Sequence, residues 1–254
     1  MLEVANVSKW FGGLPALQDV SFTVPSGRIT ALIGPNGAGK TTLINCITGV
    51  DTAKSGKILL DQCLVNTLPA HRIAALGVAR TFQNLKLFSN LSVLDNVLTG
   101  LTVKAEQSFV FSMLRLPALR HQERYLRLRA LESLDDFGLS NKAYWPASAL
   151  SYGEKKRVEM ARAFVGDPRL VLLDEPVAGL NTDETVQIAQ HIRQQRSAGH
   201  TMLLVEHDME LVMDVADQIV VLDSGRCIAC GTPEAVQKNP LVLEAYLGRM
   251  EATA

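Results

Sequence analysis

Two separated stretches of this chain hold residue types and spacings suited to chemistry on a triphosphate. Gly34-Pro35-Asn36-Gly37-Ala38-Gly39-Lys40-Thr41 fits the pattern G-x-x-x-x-G-K-[ST], placed after an expected strand and at the mouth of an expected helix. Glycines at these points let backbone N–H groups converge on phosphate oxygens, where a Cβ would block the approach. Lys40 would supply a point charge to the β- and γ-phosphates, and the Thr41 hydroxyl is a ligand for Mg²⁺. Far downstream, Leu170-Val171-Leu172-Leu173-Asp174-Glu175 reads as a buried strand that delivers two carboxylates at its C-terminal end, where ligands of open α/β sheets gather. Asp174 would hold Mg²⁺ through water, and Glu175 would orient, or take a proton from, a water attacking the γ-phosphorus. The plainer alternative is that Asp174 caps the segment after it.

Single residues carry less by themselves. Gln83, after Arg80-Thr81-Phe82, has an amide suited to Mg²⁺ or to the attacking water, although a lone Gln at a strand end is usually just solvated. His207 ends another apolar strand and either donates to a γ-phosphate or opens a helix. Phe11 either stacks on a base or packs in a core. Of the cysteines 46, 63, 227 and 230, the last two have the spacing of half a zinc site, but no second half follows, so they read as strand cysteines.

The elements that must position these groups follow from periodicity. Alternating apolar residues over 2–7 and 17–24, with a Pro-Ser-Gly turn at 25–27, predict an N-terminal antiparallel β-layer. Short apolar runs at 29–33, 170–173, 202–205 and 219–222 alternate with helical stretches near 40–48, 151–165 and 183–196, which predicts a mostly parallel sheet with helices on both faces. Between 91 and 139 strand signals vanish and Leu128, Leu131 and Leu134 recur at helical spacing, so this block reads as a helical subdomain. Its Arg115, Arg120, Arg124, Arg127 and Arg129 are interrupted or followed by acidic residues and read as a solvated face rather than a nucleic-acid stripe. Residues 232–247 predict two short helices, the first opened by Thr232-Pro233-Glu234.

At 254 residues and 47% hydrophobic content the chain suits one α/β domain with a subdomain. We expect a catalytic core from 1–90 and 166–254, with the helical subdomain over 91–165. With 25 basic against 26 acidic residues, net charge −1, nothing global draws it to nucleic acid or an anionic membrane. No uncharged apolar run reaches the roughly 18–20 residues of a spanning helix, so the chain reads as cytosolic and any membrane association is expected through a partner.

Taken together, the phosphate loop, Gln83, Leu150-Ser151-Tyr152-Gly153-Glu154, Asp174-Glu175 and His207 resemble the nucleotide-binding subunit of ABC transporters, in order and over essentially the whole chain. The resemblance implies an ATPase using ATP and Mg²⁺. ATP would be held by Phe11 stacking on adenine and by Gly34, Pro35, Asn36, Gly37, Ala38, Gly39, Lys40, Thr41 and Thr42. Thr41, Gln83 and Asp174 would hold the metal. Glu175 would be the base, His207 the γ-phosphate sensor, and Gln83 the link to a transmembrane partner. Ser151, Tyr152, Gly153 and Glu154 would complete the opposite subunit's site in a head-to-tail dimer.

A closer likeness is to the ATPases of branched-chain amino acid importers, through Phe11-Gly12-Gly13, Arg80-Thr81-Phe82-Gln83, Ala178-Gly179-Leu180-Asn181, Glu206-His207-Asp208-Met209 and Ala245-Tyr246-Leu247-Gly248. Tyr152 replaces the commoner glycine, Glu154 the commoner Gln and Asn181 the commoner Asp; the 101–129 insert suits one of the two paralogous ATPases of such importers. Implied partners are transmembrane permease subunits, a second ATPase subunit (paralogue or self) and, indirectly, a solute-binding protein, with no nucleic acid. The implied place is peripheral, on the cytoplasmic face of the cell (inner) membrane, and soluble when isolated. The alternatives are an ABC system for urea or amides, one for lipid export or extraction, and a soluble ABC ATPase on nucleic acid.

Overall fold

The computed structural model describes residues 1–83, 85–101 and 117–247. The N-terminal alternation folds as expected into β1 (Leu2–Phe11) and β2 (Leu14–Val24), an antiparallel pair that buries Leu2, Val4, Val7, Leu17, Val20 and Phe22 on one face. The same sheet continues through β4 (Ser55–Leu60) and β5 (Cys63–Leu64) in the order β2-β1-β4-β5. A second sheet is built on β3 (Ile29–Ile33), β6 (Val78–Arg80), β7 (Leu170–Asp174), β8 (Thr201–Val205), β9 (Gln218–Asp223) and β10 (Arg226–Gly231), ordered β10-β9-β3-β8-β7-β6. Its pairings are parallel except at the β10–β9 edge. β3, β7 and β8 are buried on every residue, which is why their sequences are apolar except for Thr30, Asp174 and Thr201.

Successive residues of the central strands feed opposite layers. Leu170, Leu172, Leu203 and Val205 face α1 (Lys40–Ile47) and the antiparallel layer. Val171, Leu173, Met202 and Leu204 face α3 (Val93–Leu98), α4 (Pro117–Asp136), α5 (Tyr152–Phe164) and α6 (Thr182–Ser197). α2 (Ala70–Ala75) precedes β6, α7 (Met209–Val215) precedes β9, and α8 (Pro233–Gln237) and α9 (Pro240–Leu247) are the two expected short terminal helices. Thr232 caps α8 with Pro233 in its first turn.

The helical spacing of Leu128, Leu131 and Leu134 falls on α4, as expected. Leu128 is 52% exposed, whereas Ala130, Leu134 and Phe137 are fully buried. A spacing of three falls short of the 3.6-residue turn, so the 128–131–134 row drifts around the helix: Leu128 is exposed, Leu131 packs partly buried against the core and Leu134 lies within it. Arg127 and Arg129 pair with Glu123 and Glu132 on the outer face, as a solvated face should. Arg115 and residues 102–116 of the insert lie outside the described residues. Cys227 and Cys230 do sit on a strand, β10, and the described residues contain no cluster of three or more metal-ligating side chains.

Candidate nucleotide site

The phosphate loop runs from the end of β3 into the N-terminus of α1, where unpaired backbone N–H groups and the helix dipole favour an anion. Gly34 has φ 151°, and a Cβ there would stand 2.1 Å from the Leu222 carbonyl oxygen. Gly39, at φ 100°, would place a Cβ 2.6 Å from the Ala16 carbonyl oxygen. The loop is thus wedged between β2 and the β9–β10 turn, where Gly225 donates to the Ala38 carbonyl at 3.1 Å. Lys40 curls back over it and donates to the carbonyls of Gly34 (2.6 Å) and Pro35 (3.1 Å). Burial lowers the Lys40 pKa below the ordinary lysine value, against the opposing pull of Glu175 and Asp174, so both carboxylates lie within electrostatic reach of the loop. Asn36, Gly37 and Thr41 are exposed at the mouth, Pro35 and Thr42 are half-buried, and Ala38 is buried beneath.

Asp174 and Glu175 sit where the sequence puts them, at the end of β7. Asp174 does not cap the following segment. Its Oδ2 accepts from Arg80 Nη2 at 2.8 Å, and its N–H donates to Thr81 Oγ1 at 3.0 Å. Both side chains of that ion pair are mostly buried, and Arg80 also donates to Asn45 of α1 at 2.9 Å. Glu175 has φ 49°, a left-handed conformation that turns the chain sharply off the strand. Its N–H donates to the Val205 carbonyl (2.9 Å), and its own carbonyl accepts from Lys156 Nζ (3.0 Å). Its Oε2 accepts from Gln83 Nε2 at 2.8 Å, so Gln83 is attached to the carboxylate of the expected base. The Thr41 hydroxyl, Asp174 carboxylate and Gln83 carbonyl are hard oxygen donors, a set whose chemistry fits Mg²⁺.

Phe11 is 50% exposed at the tip of β1 with Lys9 Nζ 5.0 Å from its ring centroid, so it is available to a flat ligand and is not core. Ser151 is the N-cap of α5, its Oγ accepting from the Glu154 N–H while Glu154 Oε2 accepts from the Ser151 N–H. The other Glu154 oxygen accepts from Lys142 at 2.5 Å. Burial raises the Glu154 pKa, but Lys142 and the Ser151 amide more than offset it and hold the carboxyl below its usual value. Glu154 therefore fixes the start of α5. Ser151 and Tyr152 are exposed, and Tyr152 lies alongside Gly179, where a Cβ would be 3.3 Å from its ring. Gly153 is buried against Glu184, whose carboxylate would be 2.4 Å from an added Cβ. Asn181 caps α6 in a second reciprocal pair with Glu184.

His207 is in the loop after β8, 65% exposed at its side chain, and Asp208, not His207, caps α7. The structure thus removes the helix-start reading of His207 and brings Lys40, Gln83, Asp174 and Glu175 together. Four contributors escaped the sequence reading as individual residues: Arg80, Thr81, Lys156 and Glu206. The apolar strand before Glu206 and the Arg-Thr pair before Phe82 were the available signals, but their partners are remote in sequence.

The profile of the family described as ABC transporter matches residues 17–178, and that of the branched-chain amino acid ATP-binding cassette transporter matches residues 226–252. BraF, the high-affinity branched-chain amino acid transport ATP-binding protein of Pseudomonas aeruginosa, is 42% identical, covering 98% of this chain and 98% of BraF. LptB, the lipopolysaccharide export system ATP-binding protein of Haemophilus influenzae, is 34% identical over 98% of this chain and 97% of LptB. Among solved structures, the ADP conformation of an ATP-binding cassette superposes with TM-score 0.85 at 31% identity, covering 98% of each chain. A dimeric cassette in a post-hydrolysis state, bound to ADP and phosphate, gives TM-score 0.77 at 26% identity, over 92% of this chain and 99% of that one.

Proposed function

Since the chain belongs to the ABC transporter family of ATP-binding cassettes, we propose that it hydrolyses ATP to drive an importer for branched-chain or related amino acids. The observation that carries the catalytic part is the Glu175 carboxylate, aimed off the strand end by a left-handed backbone and bonded to Gln83, beside the Lys40 loop. The match at residues 226–252 and the identity to BraF support the solute class.

In this reading Lys40 exchanges its two carbonyl partners for the β- and γ-phosphates, and the loop amides and α1 N-terminus take the remaining phosphate oxygens. Phe11 covers the adenine face. Glu175 orients the attacking water and receives its proton as the γ-phosphoryl transfers in line, with ADP leaving. Gln83 and His207 border the γ-phosphate and report its presence. Mg²⁺, held by Thr41, Gln83 and Asp174, would neutralise charge on the phosphates.

Ser151 and Tyr152 are exposed at the N-terminus of α5, which supports their completing the site of a second subunit, self or paralogue, packed head to tail. Because the interface would close over ATP, closure is favoured only by ATP's differential affinity for the closed pair. A cleft of about 770 Å³ between β6 and the helical block is floored by Ala74, Val78 and Gly100 and rimmed by Lys86, Arg162 and Arg169. It is the place we assign to a segment of the permease, whose solute-binding protein meets this subunit only indirectly. No helix among the described residues is long and apolar enough to cross a membrane, so the peripheral, cytoplasmic-face position depends on that contact.

The test is uptake of labelled leucine by cells whose native copy is replaced by this chain or by its Glu175→Gln variant. Loss of uptake in the variant alone supports both coupling and solute class. Equal uptake removes leucine import and turns attention to urea, amides or a lipid-export role of the LptB kind.

A further inference from the structure

Glu206 is 0% exposed, yet it is a carboxylate, placed directly after a strand that is buried on every residue. A buried carboxylate is tolerated only where its lone pairs are filled. Here they are filled from two different loops. Oε1 accepts from the Val177 N–H at 3.1 Å, in the loop that begins at Glu175. Oε2 accepts from the N–H groups of His207 (3.0 Å) and Asp208 (3.4 Å), and the His207 ring nitrogen Nδ1 lies 3.8 Å from the same oxygen. Two acceptor oxygens facing two sets of donors is a requirement that a carboxylate meets and an amide does not, because an amide would turn an N–H₂ toward one set.

We infer that Glu206 is a positioning residue that fastens the loop carrying His207 to the loop running from Glu175 to Gly179, so that a shift at the γ-phosphate sensor is passed to the base and to Tyr152 at the start of α5. The inference rests on His207 meeting the γ-phosphate. Pulling the loops apart would leave a buried charge half-satisfied, so they move together. The far side of the second loop is already tied in: Lys156 holds the Glu175 carbonyl and Tyr152 lies on Gly179.

The experiment is a double-mutant cycle on the full chain with Glu206→Gln, His207→Ala and their combination. It reads kcat for ATP hydrolysis together with affinity for a fluorescent ATP analogue. We expect Glu206→Gln to lower kcat about tenfold, equivalent to about 1.4 kcal/mol, with analogue affinity within about twofold of the parent. The double variant should be no slower than His207→Ala alone, since Glu206 acts through His207. Losses that multiply, or a Glu206→Gln variant at parental kcat, overturn the inference. His207→Ala at parental kcat overturns the reading of His207 itself, which is a separate result from the first. Should Glu206→Gln fail to bind the analogue, Glu206→Asp replaces it: the charge is kept, the reach to both loops is lost, and the same two patterns decide.

Discussion

Replacing Arg80 with Met keeps the aliphatic stem and removes the guanidinium that lies between Asp174 and Asn45. The Arg80 and Asp174 side chains are 13% and 9% exposed, so what remains is a nearly buried carboxylate without its counter-charge. Breaking such a pair from one side costs about 3–5 kcal/mol. The lost bond to Asn45 adds about 1 kcal/mol, and losing Arg80 Nε, which is buried without a hydrogen-bond partner, returns about the same. A net loss of about 4 kcal/mol corresponds to roughly 8–16 °C in Tm for a chain of this size. The same carboxylate is a proposed Mg²⁺ ligand, so the cation should stand in for the guanidinium. Thermal unfolding of parent and Arg80→Met would be compared alone, with a non-hydrolysable ATP analogue plus EDTA, and with the analogue plus Mg²⁺. We expect the deficit to persist in the first two conditions and shrink by more than half in the third. An equal deficit in all three would refute the exchange and leave the Arg80–Asp174 pair as scaffolding.

Glu175→Gln should lower ATP turnover by about 10²-fold or more and hold an ATP-loaded pair that elutes as a dimer on size exclusion; normal turnover would remove Glu175 as the base. Gly34→Ala drives a methyl into the Leu222 carbonyl, so we expect about 2–4 kcal/mol of lost stability in urea titrations and weaker ATP binding, with a parental urea midpoint contradicting the wedged loop. Burial has lowered the Lys40 pKa, and phosphate binding needs the charged form. ATP affinity should therefore be level at neutral pH and fall as pH rises through a point below the ordinary lysine value of 10.5, as isothermal titrations at stepped pH would show. A fall that began only above that value would contradict the burial argument.

The phosphate loop, the paired carboxylates and the strands that end in them were legible because each is contiguous and its chemistry dictates its residue types. The same holds for Ser151, whose cap is written locally with Glu154 three residues on. β6 was legible only as a strand end near Gln83: at three residues it has too little alternation to give its bounds, which are defined by its pairing to β7. Arg80 reaches Asp174 across 94 positions, and Glu206 reaches Val177 across 29, so nothing local distinguishes either from an ordinary polar residue. Leu128 marks how far a local pattern reaches: its spacing announced the helix, but not which side of it the core covers.

Glu175 holds its left-handed φ of 49° under three restraints: the Val205 carbonyl, the Lys156 ammonium and the Gln83 amide. A residue with a Cβ loses about 1 kcal/mol or more in that conformation, which glycine would recover. With Glu175 in the proposed role of base, stability and turnover make opposite demands on this single position, and the residue present is the less stable choice. A drift toward thermostability that replaced this residue by glycine would remove the carboxylate itself, so the proposed site sets a ceiling on how far its own framework can be stabilised.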